Sequence, residues 1–306
     1  MSNEHRYDVA VIGGGPAGLT AALWLARYLH SVVLVDSGDP RNWETRGING
    51  FLGHAGIKPA ELRGTGRDEC RKYGVELIDG MVGAVSCNAN NDFALALEDG
   101  RQFQSSRVLL AIGLKDVWPD VPGLDHVYGG SAHVCPDCDG YEARDRKTVV
   151  IGTGRRAVGM ALNLTTWTRQ IVICTNGPDP SMTKDLLDKV DKLNIPIIDA
   201  KILALKSKNG AAQALELVGG MHLDCEKIFF SIGQYPADAL GVQLGCKRDE
   251  HGQIEIDDGH HTSVKNVFAA GDIAPGPQLA IRAAAGGAHA ALSIHKSLVP
   301  PERRLE

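Results

Sequence analysis

The sequence predicts an α/β protein built from two strand–turn–helix–strand units, the second inserted into the first. Three observations predict it. A glycine-rich turn joins an apolar strand to a helical pattern near residue 13, a second such turn recurs near residue 152, and a late strand ending in Gly271-Asp272 returns the chain to its first unit.

The first unit opens with Tyr7-Asp8-Val9-Ala10-Val11-Ile12, a run that ends in Gly13-Gly14-Gly15-Pro16-Ala17-Gly18. Leu19, Leu23, Leu25, Ala26 and Leu29 follow at helical spacing. Ser31-Val32-Val33-Leu34-Val35-Asp36 then reads as a second buried strand closed by an acid. Strand, glycine turn, helix, strand and acid together make the motif a dinucleotide site. Gly13 permits the tight turn, Gly15 lets backbone approach a pyrophosphate, and Gly18 lets helix and strand pack closely. With Pro16 and Ala17 opening the helix, a phosphate would sit where free N–H groups and the helix dipole favour an anion. Asp36 would accept a hydrogen bond from a ribose hydroxyl.

The pattern returns at Lys147-Thr148-Val149-Val150-Ile151-Gly152-Thr153-Gly154-Arg155-Arg156-Ala157, with a helix expected to about residue 168 and the strand Gln170-Ile171-Val172-Ile173-Cys174 after it. Each unit then carries alternating segments, such as Phe93-Ala94-Leu95-Ala96-Leu97 before the turn Glu98-Asp99-Gly100, which predict a small β-meander. Similar closing strands follow, Arg107-Val108-Leu109-Leu110-Ala111-Ile112-Gly113 and Lys227-Ile228-Phe229-Phe230-Ser231-Ile232-Gly233. Near the end, Thr262-Ser263-Val264-Lys265-Asn266-Val267-Phe268-Ala269-Ala270-Gly271-Asp272 gives another strand, and an apolar helix is expected from about residue 278 to 298. Proline-containing hinges lie at 116–122 and 234–240. The expected organisation is therefore two Rossmann-like nucleotide-binding domains of three-layer ββα type. One is discontinuous over 1–116 and 242–306, and the other is inserted over 117–241.

A chain of 306 residues has room for about two domains. Its net charge of −5 leaves no basic footprint for nucleic acid. No apolar run approaches the roughly 20 residues a membrane span needs, and the polar start followed by a strand does not read as a secretory signal. A soluble cytoplasmic protein is expected. The seven cysteines, Cys70, Cys87, Cys135, Cys138, Cys174, Cys225 and Cys246, are odd in number and scattered, unlike a disulfide framework. Most should be small buried thiols in a reducing compartment.

Cys135 and Cys138 are different. They lie in His133-Val134-Cys135-Pro136-Asp137-Cys138-Asp139-Gly140-Tyr141-Glu142. Zinc would need two more ligands, and only His260-His261 and unpaired cysteines are on offer. A structural staple is disfavoured by the compartment. Redox chemistry fits best: a Cys-x-x-Cys pair at a turn or helix start closes a disulfide across a short loop, and the helix dipole lowers a thiol's pKa. No metal is expected.

With these pieces in place, the chain resembles the low-molecular-weight thioredoxin reductase family of two-domain flavoproteins. The likeness covers nearly the whole length and rests on Gly13 to Gly18, Cys135 to Gly140, and Ala269-Ala270-Gly271-Asp272. The resemblance implies FAD in the first domain. Gly271-Asp272 would hold the flavin's ribityl chain, and the following helix, opened by Gln278, Leu279 and Ala280, would point at the flavin's N1–C2=O edge. It implies that Cys138 faces the flavin, that Cys135 forms the mixed disulfide with substrate, and that Asp139 protonates the leaving thiolate. An Asx-turn residue before Gly140 is the lesser alternative reading of Asp139. The resemblance also implies a homodimer acting on a thioredoxin-like protein or a small dithiol.

The chain departs from the family where NADPH binds. The family's His-Arg-Arg cluster is here Cys174-Thr175-Asn176-Gly177-Pro178-Asp179, with no cation and an acid of the wrong sign for a phosphate. The family's Gly-Gly-Gly-Asp-Ser-Ala turn reads Gly152-Thr153-Gly154-Arg155-Arg156-Ala157. Its arginines read either as pyrophosphate ligands or as a solvated surface. Arg169 precedes its strand instead of following it. An Arg-Gln-Ala triplet becomes Pro277-Gln278-Leu279-Ala280 and loses its arginine. The sequence thus predicts a FAD-dependent disulfide/dithiol oxidoreductase with an electron partner other than standard NADPH. A ferredoxin or a second FAD in the inserted domain would serve, with a second FAD or adapted nucleotide ranked above an empty pocket. The alternatives are a dithiol oxidase using oxygen, an NADPH enzyme with a non-standard phosphate site, and a flavin-bound redox sensor without turnover.

Overall fold

The computed structural model describes residues 6–42, 45–88, 92–179 and 181–303. Residues 1–5, with which the expectation of no secretory signal begins, lie outside them. The chain divides into two compact units: one holds 50–115, 235–303 and the described residues up to 42, the other holds 45–49 and 116–234.

In the first unit, Glu76–Asp79, Val32–Asp36, Arg6–Ile12 and Gln102–Leu110 run parallel in that order. Val267–Ala269 lies parallel on the other side of Gln102–Leu110. The beginning of Gln102–Leu110 also pairs antiparallel with Phe93–Leu97, and that strand with Val82–Cys87. One long strand thus serves both a parallel sheet and the meander expected from the alternating residues. Side chains alternate along a strand. Val9 and Val11 pack with Leu25 of the helix Pro16–Arg27 and with Ala290 and Ile294 of the helix Ala280–Leu298. Ala10 and Ile12 pack on the opposite face with Leu95, Leu97 and Phe103 of the meander. These are the three layers. Leu25, Leu34 and Leu109 are fully buried, and each such side chain contributes roughly 1.5–3 kcal/mol over leaving it in water.

The second unit repeats the plan. Ile197–Ile198, Ile171–Cys174, Thr148–Gly152, Lys227–Ser231 and Ala132–His133 form a parallel sheet. Continuous apolar strands such as Val149-Val150-Ile151 suit a sheet covered on both faces. The helices Gly154–Leu164 and Lys184–Asp191 cover one face through Ala157, Ala161, Leu164, Leu186 and Val190. The antiparallel strands Ile202–Lys208, Ala211–Leu217 and His222–Asp224 cover the other through Leu205, Leu215 and Leu217.

Three boundaries differ from the sequence reading. The helix after the second glycine turn stops at Leu164 and not near 168, because Thr165 Oγ1 turns back to donate to Leu162 O at 2.7 Å. Residues 45–49, expected with the first domain, pack with the inserted unit. There Arg46 N donates to Gly129 O at 3.2 Å, and Asn49 Nδ2 donates to Glu142 Oε1 at 3.1 Å. Residues 235–241, expected with the insertion, join the first unit, where Leu240 is buried in the core. Among the described residues, no helix is long and apolar enough to cross a membrane.

Candidate functional site

In the first unit the glycine turn leaves the strand Arg6–Ile12 and enters the helix at Pro16. Gly13 holds φ +109°, which favours glycine, and a Cβ there would strike Ala111 O. A Cβ on Gly18 would strike Gly13 O, so helix and strand meet as the spacing predicts. Gly15 is the opposite case. It is the N-cap, no side chain caps the helix there, and a Cβ on it would meet nothing within 4 Å. The turn therefore offers an open backbone face at a helix N-terminus opened by Pro16 and Ala17, the cradle that a dinucleotide pyrophosphate requires.

Asp36 closes the next strand, as expected, but two residues that sequence reasoning missed hold it. Arg63 Nη2 donates to Asp36 Oδ2 at 2.6 Å, and Arg67 Nη1 donates to the same oxygen at 3.2 Å. Both arginines lie on the helix Pro59–Lys72, and Arg63 Nε also reaches Gly14 O at 3.3 Å. Asp36 Oδ1 accepts Gly38 N at 3.2 Å. A carboxylate offers about four acceptor positions, so the oxygens keep capacity for a ribose hydroxyl while two guanidinium groups offset their charge.

At the other end, Gly271 takes φ +84° and Asp272 follows it. Gln253 Nε2 pins Asp272 O at 2.8 Å. Arg41 Nη1 donates to Gln278 Oε1 at 2.5 Å and to Asp272 Oδ2 at 3.3 Å. The arginine absent from the Pro277-Gln278-Leu279-Ala280 stretch thus has a spatial counterpart 237 positions upstream of Gln278. Leu279 is the N-cap of the final helix, which starts at Ala280.

The second glycine turn looks alike in sequence and differs in space. Gly154 has φ +52° and begins the helix, with Thr153 as N-cap. Its N–H is engaged: Asp179 Oδ2 accepts it at 2.8 Å. Asp179 Oδ1 in turn accepts Ser181 N at 2.9 Å and Ser181 Oγ at 2.5 Å. A Cβ at Gly154 would come within 2.5 Å of Ser181 Oγ. Partial burial pushes the Asp179 carboxyl up, but hydrogen bonds from the Ser181 side chain and from the Gly154 and Ser181 backbone outweigh it and leave it below its ordinary value. A carboxylate of the chain itself stands where a phosphate would be received. Asn176 Oδ1 accepts Ile202 N at 2.7 Å, and Thr175 Oγ1 donates to Gly177 O at 2.6 Å, so the loop leading to Asp179 is internally bonded. Arg155 is exposed, Arg156 Nη1 donates to Ile232 O at 2.9 Å, and Gly152 is buried at the strand end.

Cys135 and Cys138 are joined as a disulfide, with Cα atoms 5.3 Å apart. Cys135 is the N-cap of the single turn Pro136–Asp139, and its Sγ accepts Cys138 N at 3.1 Å. Pro136 fixes φ at the first position of that turn. Gly140 is required by close packing, because a Cβ there would lie 2.5 Å from the Trp167 ring. Asp139 is mostly buried, with His133 Nδ1 3.4 Å from its Oδ1. His133 and the Lys227 behind it are further residues the sequence reading passed over. His260 Nδ1 lies 2.9 Å from Ala269 O, and His261 Nδ1 pairs with Asp257 at 3.0 Å. Among the described residues, no group of three metal-ligating side chains is assembled. Cys70, Cys174, Cys225 and Cys246 are buried free thiols and Cys87 is exposed. Burial pushes Cys70 up to about 11 and Cys225 up to about 12, which leaves those two sulfurs poor nucleophiles.

Comparison with known proteins agrees with this geometry. Residues 7–287 match the family model described as pyridine nucleotide-disulphide oxidoreductase. A thioredoxin reductase of Bacillus subtilis (strain 168) is 28% identical over 287 residues, covering 89% of this chain and 88% of the relative. Among solved structures, a putative thioredoxin reductase TrxB from Bacillus anthracis is 32% identical with TM-score 0.90, covering 97% of this chain and all of that one. The structure of HlmI is 34% identical with TM-score 0.91, covering 98% of this chain and 94% of its own. With a doubled α/β unit, an open first turn and a joined Cys-x-x-Cys, the chain belongs to the pyridine nucleotide-disulphide oxidoreductase family, as a thioredoxin reductase-like, flavin-dependent disulfide oxidoreductase.

Proposed function

We propose that this protein exchanges electrons between a dithiol or disulfide substrate and its Cys135–Cys138 pair, using one FAD per chain and no NADPH at the second glycine turn. Gly15, Pro16, Ala17 and Gly18 would hold the FAD pyrophosphate, Asp36 the ribose, and Asp272 with Gln278 and Arg41 the ribityl end. Bound there, FAD supplies a two-electron carrier. In this reading Cys135 forms the mixed disulfide with substrate and Cys138 is the sulfur turned to the flavin. Asp139 gives a proton to the thiolate that leaves, or takes one when the disulfide closes. The relatives named thioredoxin reductase support a thioredoxin-like protein as substrate, and a small dithiol has the same chemistry.

One observation carries the electron-partner part of the reading: Asp179 Oδ2 on Gly154 N at 2.8 Å. A negative group already satisfies the donor that a pyrophosphate would need, and repels the phosphate besides. That argues against the second FAD ranked first from the sequence, and equally against NADPH. A ferredoxin-type protein as donor, or oxygen as acceptor for a dithiol oxidase, fits a chain whose second turn is self-capped. A homodimer is carried over as part of the same reading.

Anaerobic mixing with NADPH tests the assignment. The oxidised flavin band should persist for seconds, and prompt bleaching would overturn it. Oxygen uptake on adding dithiothreitol separates the two remaining electron partners: rapid multiple turnover marks the oxidase, and a single reduction without uptake marks the protein-donor enzyme.

A further inference from the structure

Behind Asp139 the inserted unit holds a short file of polar groups, the buried His133 and the half-buried Lys227. His133 is 5% exposed and ends the two-residue strand Ala132–His133, held in register by pairing with Ile228 and Phe229. Its ring lies 5.4 Å from the Phe229 ring, so it is packed as well as bonded. Nδ1 is 3.4 Å from Asp139 Oδ1. Nε2 is 3.2 Å from Gly130 O and 3.3 Å from Lys227 Nζ. Lys227 Nζ also donates to Gly130 O at 2.8 Å. A histidine and a lysine 94 positions apart are thus brought together one residue behind the redox pair.

We infer that His133, backed by Lys227, is a positioning residue for Asp139, holding that acid in both of its protonation states by changing tautomer. The inference rests on Asp139 being the acid/base of the proposed function. When Asp139 is a carboxylate, Nδ1–H donates to it, and Nε2 is a bare acceptor for the Lys227 ammonium. When Asp139 is a carboxylic acid, its O–H donates to Nδ1, and Nε2–H donates to Gly130 O. Each nitrogen finds a partner of the right kind in each state, so neither leaves a buried polar group unsatisfied. A phenyl ring or a methyl group at 133 serves neither state. The contact at 3.4 Å is long for a hydrogen bond, as such contacts often are before substrate binds.

The proton balance is simple. A substrate thiolate attacks Cys135 Sγ, the Cys135–Cys138 bond breaks, and a substrate–Cys135 disulfide forms. The Cys138 thiolate takes the proton of the Asp139 carboxylic acid. Water then delivers one proton to Nδ1 and takes one from Nε2, so the ring becomes the other tautomer with no net proton change, which restores a donor to the carboxylate. The second substrate thiolate attacks the mixed disulfide and releases Cys135. The substrate becomes a disulfide, the enzyme pair becomes a Cys138 thiol and a Cys135 thiolate, and no outside oxidant is needed. The reverse sequence reduces a disulfide.

Lys227 selects between the tautomers. Burial lowers its pKa, while Asp139 and Glu142 attract its charge and Arg46 and Arg146 oppose it.

The test is the rate at which dithiothreitol opens the Cys135–Cys138 bond in the flavin-loaded protein, followed by thiol titre from pH 5.5 to 9. Wild type, His133→Phe and Lys227→Met are compared, with melting temperature and flavin content as controls on folding. His133→Phe should lose about tenfold in rate, less than the roughly hundredfold or more that a positioned acid/base itself supplies, and its pH profile should flatten. Lys227→Met should keep most of the rate while its pH profile shifts, because the positive charge that Asp139 attracts is gone. If His133→Phe does not fold, the Lys227→Met profile alone decides. Unchanged rates and superimposable pH profiles in the folded variants overturn the inference. A wild type inert to dithiothreitol fails the proposed function instead, and a Cys138→Ser control separates those two failures.

Discussion

The two glycine turns of this protein share a Gly-x-Gly start after a buried strand and end in opposite conditions. At Gly15 the helix start has no side-chain cap, and a Cβ would meet nothing within 4 Å. At Gly154 the N–H is already bonded to Asp179 at 2.8 Å. The acid after each second strand explains the divergence. Asp36 stays beside Gly14, where an added Cβ would lie 2.3 Å from its Oδ2, but its charge is met by Arg63 and Arg67 from a neighbouring helix. Asp179 lies three residues beyond Asn176, forms no ion pair with a cation among the described residues, and folds back onto the turn. A glycine motif thus supplies the shape of an anion site, and the next loop decides whether the site is vacant for a ligand or filled by the chain.

The difference can be broken from either side. The largest effect is expected from Gly15→Asp, which would give the first turn the carboxylate the second one has. Gly15 has ordinary extended backbone angles and open space around it, so the fold should tolerate the change, and an Asp N-cap favours the helix. Flavin affinity should fall about a hundredfold, an energy of roughly 2.7 kcal/mol, with an unchanged or higher melting temperature. Flavin absorbance per chain and a thermal melt measure both.

The converse is Asp179→Ala, which uncovers the second turn. Binding of NADPH or ADP by calorimetry should strengthen about tenfold, as freeing one helix N-terminus from a like charge is worth of order 1 kcal/mol. Stability should drop by about 1 kcal/mol for the lost cap, read from urea melts. No gain in nucleotide binding would show that more than Asp179 closes the pocket.

Arg41→Met probes the far end of the open site. Removing the guanidinium shared by Asp272 and Gln278 should speed flavin release severalfold, measured by fluorescence on dilution, and leave the second unit's melting unchanged.

The smallest effect is one of pH. The Asp179 carboxyl lies below its ordinary value when folded, so its contribution to stability is present above the unfolded value of about 4 and is lost as pH falls through the lower folded value. Wild type should therefore lose more stability than Asp179→Asn as the solution is acidified from pH 5 to 3, in paired urea titrations.

Much of this plan was legible in the sequence because the relevant signals are local. Strand, turn, helix and acid lie within thirty residues, and the alternation of Phe93 to Leu97 reports a half-buried strand directly. The Cys-x-x-Cys pair is equally local, since three residues fix its reach. What stayed hidden depends on long-range placement. Asp179 reads from the sequence as the wrong charge for a phosphate, yet its landing on Gly154 N, 25 positions back, has no local signal. Arg41 reaches Asp272 across 231 positions and Lys227 reaches His133 across 94. No periodicity carries such pairs. The helix end at Leu164 is hidden for a related reason: threonine is no strict helix breaker, and only the structure shows Thr165 Oγ1 bonded back to Leu162 O.

The central claim is that one turn of the pair receives a dinucleotide and the other is filled by the chain's own acid. Extracting the cofactors of the purified protein and counting them against polypeptide tests it most directly. The account predicts close to one FAD and no pyridine nucleotide per chain; two flavins, or one flavin with a retained NADP, would contradict it.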